Sequence, residues 1–226
     1  MAQLKHVDIP APHGRLEGLL RLPEEEGATP RMAAVVCHPH PLYGGTMHNK
    51  TVFRLAMALN EVGIPALRFN FRGVGLSTGT YDEGRGEQDD VRAALDELQR
   101  RFPGVPLCVA GFSFGAWVGL RVACSEERVR QLVGVGVPVS LLPADDLANC
   151  LKPKLVVQGE LDQYGPAADV RAWFAAVPAP KQLEVIAGAD HFLTDHLDAL
   201  QQTVVRYFRL GETGASEGDK SGASHP

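Results

Sequence analysis

The residues whose types and spacing promise chemistry begin with a serine between two glycines, Gly111-Phe112-Ser113-Phe114-Gly115. Before it lies a short apolar run, Val105 to Ala110, and after it a helix-like stretch, Ala116 to Ala123. A serine on a sharp strand-to-helix turn is held strained, with its hydroxyl exposed. Glycines at both ends remove the Cβ atoms that would clash as the chain reverses. The following helix aims its N-terminus at the serine, where negative charge develops in acyl transfer.

A serine hydroxyl is a weak nucleophile until a base takes its proton, and a carboxylate must hold that base in the right tautomer. His191 is the best-placed base, in Ala187-Gly-Ala-Asp-His-Phe192, a small-residue loop directly after a strand-like run. His196 and His225 are set aside, the first as facing out of a helix, the second as part of the tail. For the acid, Asp162 follows the run Lys154 to Gln158 and precedes a proline-started helix. Asp190 is the rival, but as the immediate neighbour of His191 it points away from the imidazole in an extended loop. The tetrahedral intermediate also needs two N–H donors. The backbone of Phe114 supplies one. The other is expected from His38-Pro-His-Pro-Leu42, where Pro39 and Pro41 have no N–H, leaving His40, with Leu42 as fallback.

Elements that could position these groups follow from the apolar patterning. Residues 3–9 and 15–22 alternate as an antiparallel strand pair around a turn at 10–14. The continuous apolar run at 33–37 is a strand buried on both faces, 105–110 is a second short apolar run, and further strands are read at 65–71, 132–137, 154–158 and 182–186. Helical period marks 48–62, 87–101, 166–176 and 194–209, besides the helix after Ser113. Alternation of this kind means a parallel sheet with helices on both faces, the antiparallel pair at one edge. Functional groups then gather at the carboxyl ends of the strands. The expected organisation is one α/β domain over 1–210 and a disordered tail over 211–226.

The 226 residues are 45% hydrophobic and 22% charged, with a net charge of −5 and no Lys/Arg cluster, so nucleic acid is not an expected partner. No apolar run long enough for a membrane span and no signal peptide are visible, and the four cysteines have no C-x-x-C spacing. These features read as a reduced, cytoplasmic protein without a disulfide framework.

From about residue 15 to 209 the chain resembles the α/β-hydrolases. It is most similar to small bacterial serine hydrolases with a His-Pro-His-Pro-x-x-Gly-Gly loop, here His38 to Gly45, and a Phe-Arg-Gly-Val-Gly-x-Ser turn, here Phe71 to Ser77. The order Ser113, Asp162, His191 is that of the superfamily. The resemblance implies an eight-stranded, mostly parallel sheet and hydrolysis of carboxylic esters or related acyl compounds, with no cofactor. Pro39 stands where the commoner superfamily form has the Gly of a His-Gly pair. A cap in this fold is commonly inserted after the sixth strand. Here that interval, Pro138 to Pro153, is too short for a folded lid, so an open cleft walled by Leu42, Tyr43, Phe112, Val139, Tyr164 and Phe192 is expected.

Two other function classes compete. His38 and His40 after a strand are ligand-like and would suit a metal-dependent hydrolase. A non-catalytic binding protein on the same fold is the other. Gly73-Val-Gly75-Leu-Ser-Thr-Gly79 is one residue too long for a dinucleotide fingerprint and opens no helix.

Overall fold

The computed structural model describes residues 3–24 and 29–215. The leading hairpin pairs β1 (Leu4–Ala11) with β2 (Gly14–Arg21). Then come β3 (Ala33–Cys37), α1 (Lys50–Glu61), β4 (Ala66–Phe69), α2 (Gly86–Arg101), β5 (Leu107–Phe112), α3 (Phe114–Ser125) and β6 (Val129–Val135). The chain closes with β7 (Lys154–Gly159), α4 (Ala167–Ala176), β8 (Lys181–Ile186) and α5 (Leu197–Ala215). The eight strands form one sheet in the order β1-β2-β4-β3-β5-β6-β7-β8. β2 pairs antiparallel with both β1 and β4, and all other pairs are parallel.

The two faces of the sheet carry separate cores. Alternate β-strand side chains point to opposite faces, so Val35, Val109 and Val156 meet α2, α3 and α4, while Val36, Ala110 and Val157 meet α1 and α5. Val52, Leu55, Ala56 and Leu59 supply the stripe by which α1 docks. Val52, Leu55 and Leu59 each contribute roughly 1.5–3 kcal/mol on burial. Because both faces are covered, β3, β5 and β7 are buried at every position, which is why β3 and β5 read as unbroken apolar runs.

Two elements start three residues away from their expected positions. The last helix begins at Leu197, not at 194, because Leu193 and Asp195 take positive φ of 55° and 61° and make a turn first. β6 begins earlier, at Val129, where its start pairs with Leu107. The last helix continues to Ala215, into the tail expected over 211–226, and the remainder of that tail, 216–226, lies outside the described residues. Among the described residues no helix is long and apolar enough to cross a membrane.

Candidate active site

The carboxyl ends of β5, β7 and β8 bring Ser113, Asp162 and His191 together. Ser113 sits between β5 and α3 with φ 55° and ψ −120°, a region that L-residues avoid. Gly111 and Gly115 make that turn possible. A Cβ on Gly115 would collide with the carbonyls of Cys37 and His38 at the end of β3, and one on Gly111 with the Gly115 carbonyl. The elbow is therefore jammed against the neighbouring strand, which fixes where the serine points.

Ser113 Oγ–H donates to His191 Nε2 at 3.0 Å, and His191 Nδ1–H donates to Asp162 Oδ2 at 2.7 Å. The carboxyl partner at Nδ1 sets the tautomer and leaves Nε2 free to accept. The imidazole is 4% exposed and lies among Phe112, Tyr164 and Phe192, with ring centroids 5.1, 4.7 and 5.2 Å away. Asp162 is 2% exposed yet well supplied with donors. Its Oδ1 accepts the N–H groups of Tyr164 and Gly165, and its Oδ2 accepts Gln158 Nε2 as well as the imidazole. Asp190, the rival acid, turns to its own loop, where it accepts the N–H and the hydroxyl of Thr194, both at 2.8 Å.

Gln158 escaped the sequence reading. It is fully buried at the end of β7, with Oε1 accepting Val137 N–H and Nε2 shared between Asp162 Oδ2 and the Gly165 carbonyl. The available signal was a polar residue inside the apolar run Lys154 to Gly159.

The loop after β3 divides its two histidines between different tasks. His38 is fully buried, donates from Nδ1 to the Pro39 carbonyl at 2.6 Å and accepts Phe71 N–H on Nε2 at 3.0 Å. It ties the β3 loop to the β4 loop, and burial pushes its pKa down to about 4. His40 caps the 3₁₀ turn Pro41–Tyr43 by accepting Leu42 N–H on Nδ1 at 3.2 Å. Its Nε2–H then reaches the Tyr81 hydroxyl at 3.2 Å, and its ring packs on Phe114. Burial lowers its pKa too. Leu42 N–H is thus occupied, whereas the backbone N–H groups of His40 and Phe114 have no acceptor among the described residues. Since His38 and His40 turn to different partners, they do not converge as a ligand pair. Among the described residues, no three His, Cys, Asp or Glu side chains group as a metal site.

Of the expected wall residues, Leu42, Tyr43, Tyr164 and Phe192 are exposed, at 65%, 85%, 57% and 51%, and Val139 is half-buried. Phe112 is not a wall residue. It is fully buried, because β5 is a central strand, and it packs against the His191 ring. The 138–153 connection holds only a 3₁₀ turn at Ala144–Leu147, with Leu142 and Leu147 buried against the α3 side of the sheet.

This elbow, on this sheet, coincides with a match of residues 33–203 to the alpha/beta hydrolase domain model. The chain belongs to the α/β-hydrolase family. Among solved α/β-hydrolase structures, it is similar to an alpha-beta serine hydrolase homologue from Coxiella burnetii, with 38% identity and a TM-score of 0.81, covering 90% of this chain and 96% of that one. It is also similar to a Xanthomonas campestris protein described as an a/b serine hydrolase without lid. That match has 35% identity and a TM-score of 0.84, and covers 92% of this chain and 94% of the other. An uncharacterized Rickettsia prowazekii protein is 34% identical over 205 residues, 87% of this chain and 85% of its own. As an α/β-hydrolase whose near structural relatives are serine hydrolases, the protein is a hydrolase.

Proposed function

We propose that this hydrolase cleaves small carboxylic esters or related acyl compounds through a covalent acyl-enzyme on Ser113. The observation that carries the reading is the continuous hydrogen-bonded relay from Ser113 Oγ to His191 Nε2 at 3.0 Å and from His191 Nδ1 to Asp162 Oδ2 at 2.7 Å. In the first half-reaction, His191 Nε2 takes the hydroxyl proton as Ser113 Oγ attacks the acyl carbon. The imidazolium so formed is stabilised by the Asp162 carboxylate. It returns its proton to the leaving alcohol or amine as the C–O or C–N bond breaks. Water then repeats the sequence against the acyl-serine, with His191 again as base and then acid. The oxyanion of each tetrahedral intermediate is received by the N–H groups of Phe114 and His40, the two uncommitted donors beside the elbow. His40 can offer its N–H because its own side chain occupies that of Leu42.

The absence of bulk over the cleft argues for short acyl groups. Leu42, Tyr43, Tyr164 and Phe192 are exposed and the 138–153 connection holds only a 3₁₀ turn, so a long alkyl chain would find little apolar surface to bury. A fluorophosphonate probe tests the reading. Labelling of wild type at Ser113, lost in Ser113→Ala, is the expected result, and equal labelling of both would overturn it.

A further inference from the structure

The connection between β4 and α2 carries a tyrosine that acyl transfer on Ser113 leaves without a task. Tyr81 is half-buried, and its hydroxyl lies 3.2 Å from His40 Nε2. The His40 ring is boxed by Tyr43, Tyr81 and Phe114, with ring centroids 4.5, 5.0 and 4.9 Å away. The connection that presents Tyr81 is tied to α2 on either side of it. Before it, the Arg72 N–H and guanidinium both donate to Asp90, a fully buried carboxylate of α2. After it, Glu87, fully buried in the first turn of α2, accepts Asp82 N–H at 2.9 Å and Gly84 N–H at 2.8 Å.

A neutral imidazole carries one ring proton, so its two nitrogens take opposite roles. His40 Nδ1 accepts Leu42 N–H at 3.2 Å, so the proton sits on Nε2 and is donated to the Tyr81 hydroxyl. In the other tautomer Nδ1–H would face Leu42 N–H, donor against donor, and the cap of the Pro41–Tyr43 turn would be lost. That turn fixes the backbone on the far side of His40, whose carbonyl accepts the N–H groups of Tyr43 and Gly45 at 3.1 and 3.0 Å. On the near side, the Pro39 carbonyl, which shares a peptide plane with His40 N–H, accepts His38 Nδ1–H at 2.6 Å. Gly45 packs so closely that a Cβ there would collide with the Pro39 and His40 carbonyls. The direction of His40 N–H is therefore set by His38 on one side and by the capped turn on the other.

We propose that Tyr81 is a positioning residue for the oxyanion loop: by accepting His40 Nε2–H, its hydroxyl holds the ring in the tautomer and orientation in which Nδ1 caps the Pro41–Tyr43 turn, and so keeps His40 N–H aimed at the developing oxyanion. The inference rests on the acyl-transfer reading. Tyr81 acts through the His40 ring rather than on the acyl group. The arrangement parallels that of Asp162 and His191, where a carboxylate oxygen accepts Nδ1–H and leaves Nε2 free to accept. Here a phenol oxygen accepts Nε2–H and leaves Nδ1 free to accept. In both, an oxygen from one loop decides which nitrogen of a histidine on another loop can take a hydrogen bond.

The test is a double-mutant cycle on the full chain, joined to a tautomer measurement. Tyr81→Phe removes the hydroxyl and keeps the ring. His40→Asn keeps an acceptor for Leu42 N–H but has no tautomer to be held. On an activated ester, Tyr81→Phe should lower kcat by about 10-fold with KM within about twofold, less than the loss of a whole oxyanion donor. In the His40→Asn background, the same substitution should change kcat by less than about twofold. A long-range ¹H–¹⁵N spectrum of the labelled wild type at pH 7.5 should show His40 protonated at Nε2. Protonation at Nδ1, or a Tyr81→Phe variant as fast as wild type, would overturn the inference. An equal loss in both backgrounds would overturn it as well, because a packing defect that bypasses His40 gives that result. Wild type that a fluorophosphonate does not label would overturn the acyl-transfer reading and this inference with it, whereas labelled wild type with any of the three other results overturns this inference alone.

Discussion

Gln158 Nε2 and His191 Nδ1 donate to the same oxygen, Asp162 Oδ2, each at 2.7 Å. The side chain that orients the proposed base is therefore itself oriented, by a buried amide one strand-end away. Gln158→Ala would leave Val137 N–H and the Gly165 carbonyl without their partner and free the carboxyl group to rotate. The expected result is a fall in kcat of about 10- to 100-fold, with KM little changed, because misplacement of a reacting group by a fraction of its contact distance costs that much. Steady-state kinetics on an activated ester checks it, with thermal unfolding alongside to separate lost orientation from lost fold.

The two aspartates nearest the proposed base should separate cleanly. Asp162→Asn is expected to lower kcat by about 10⁴-fold by presenting the wrong tautomer to Ser113. Asp190→Asn should stay within a few-fold, since its bonds go to Thr194. A crippled Asp190 variant beside a healthy Asp162 variant would reassign the acid.

Acid sensitivity of the fold should trace to His38. Its folded pKa, pushed down to about 4 by burial, lies below the unfolded value of 6.5. Between those values the unfolded chain binds more protons, so stability rises with pH there. The contribution is full above pH 6.5 and is lost progressively as pH falls through about 4, by about 3 kcal/mol in all. Urea unfolding at pH 7.5 and 4.5 measures it. His38→Gln should be less stable than wild type at pH 7.5 and lose less on acidification.

Acyl-length dependence reports the cleft. A series of p-nitrophenyl esters should give its highest kcat/KM at short chains. A steady climb past about eight carbons, at the increment of roughly 0.8 kcal/mol per buried methylene, would mean a covered tunnel.

Much of the architecture was legible because central strands are buried on both faces. Ala33 to Cys37 and Leu107 to Phe112 can be read as strands from their unbroken apolar runs, and short connections then force α/β alternation. The grouping of Ser113, Asp162 and His191 followed from the rule that loops at the carboxyl ends share one edge. What stayed hidden depends on directions that a linear pattern does not encode. Leu193 and Asp195 look helix-compatible but take left-handed φ, delaying α5. Phe112 sits one residue before the serine and was expected at the surface, yet the pleat of β5 turns it under His191. Gln158 acts across a turn on residues four and seven positions on, a hydrogen-bond pattern that spacing alone does not announce.

β8 is half-buried at all six positions and pairs on one side only, with β7. His191 hangs from its end, fastened further by Thr51 Oγ–H donating to the Phe192 carbonyl at 3.1 Å. The proposed base thus belongs to the edge of the sheet, while Ser113 belongs to its centre. Edge segments open in local fluctuations that leave the rest of a domain intact. In mild denaturant, turnover should then disappear while the β3-β5-β6 centre is still protected from hydrogen exchange. Because β8 follows the elbow in the chain, it leaves the ribosome later, and a nascent chain that has already buried its serine elbow stays silent until β8 docks.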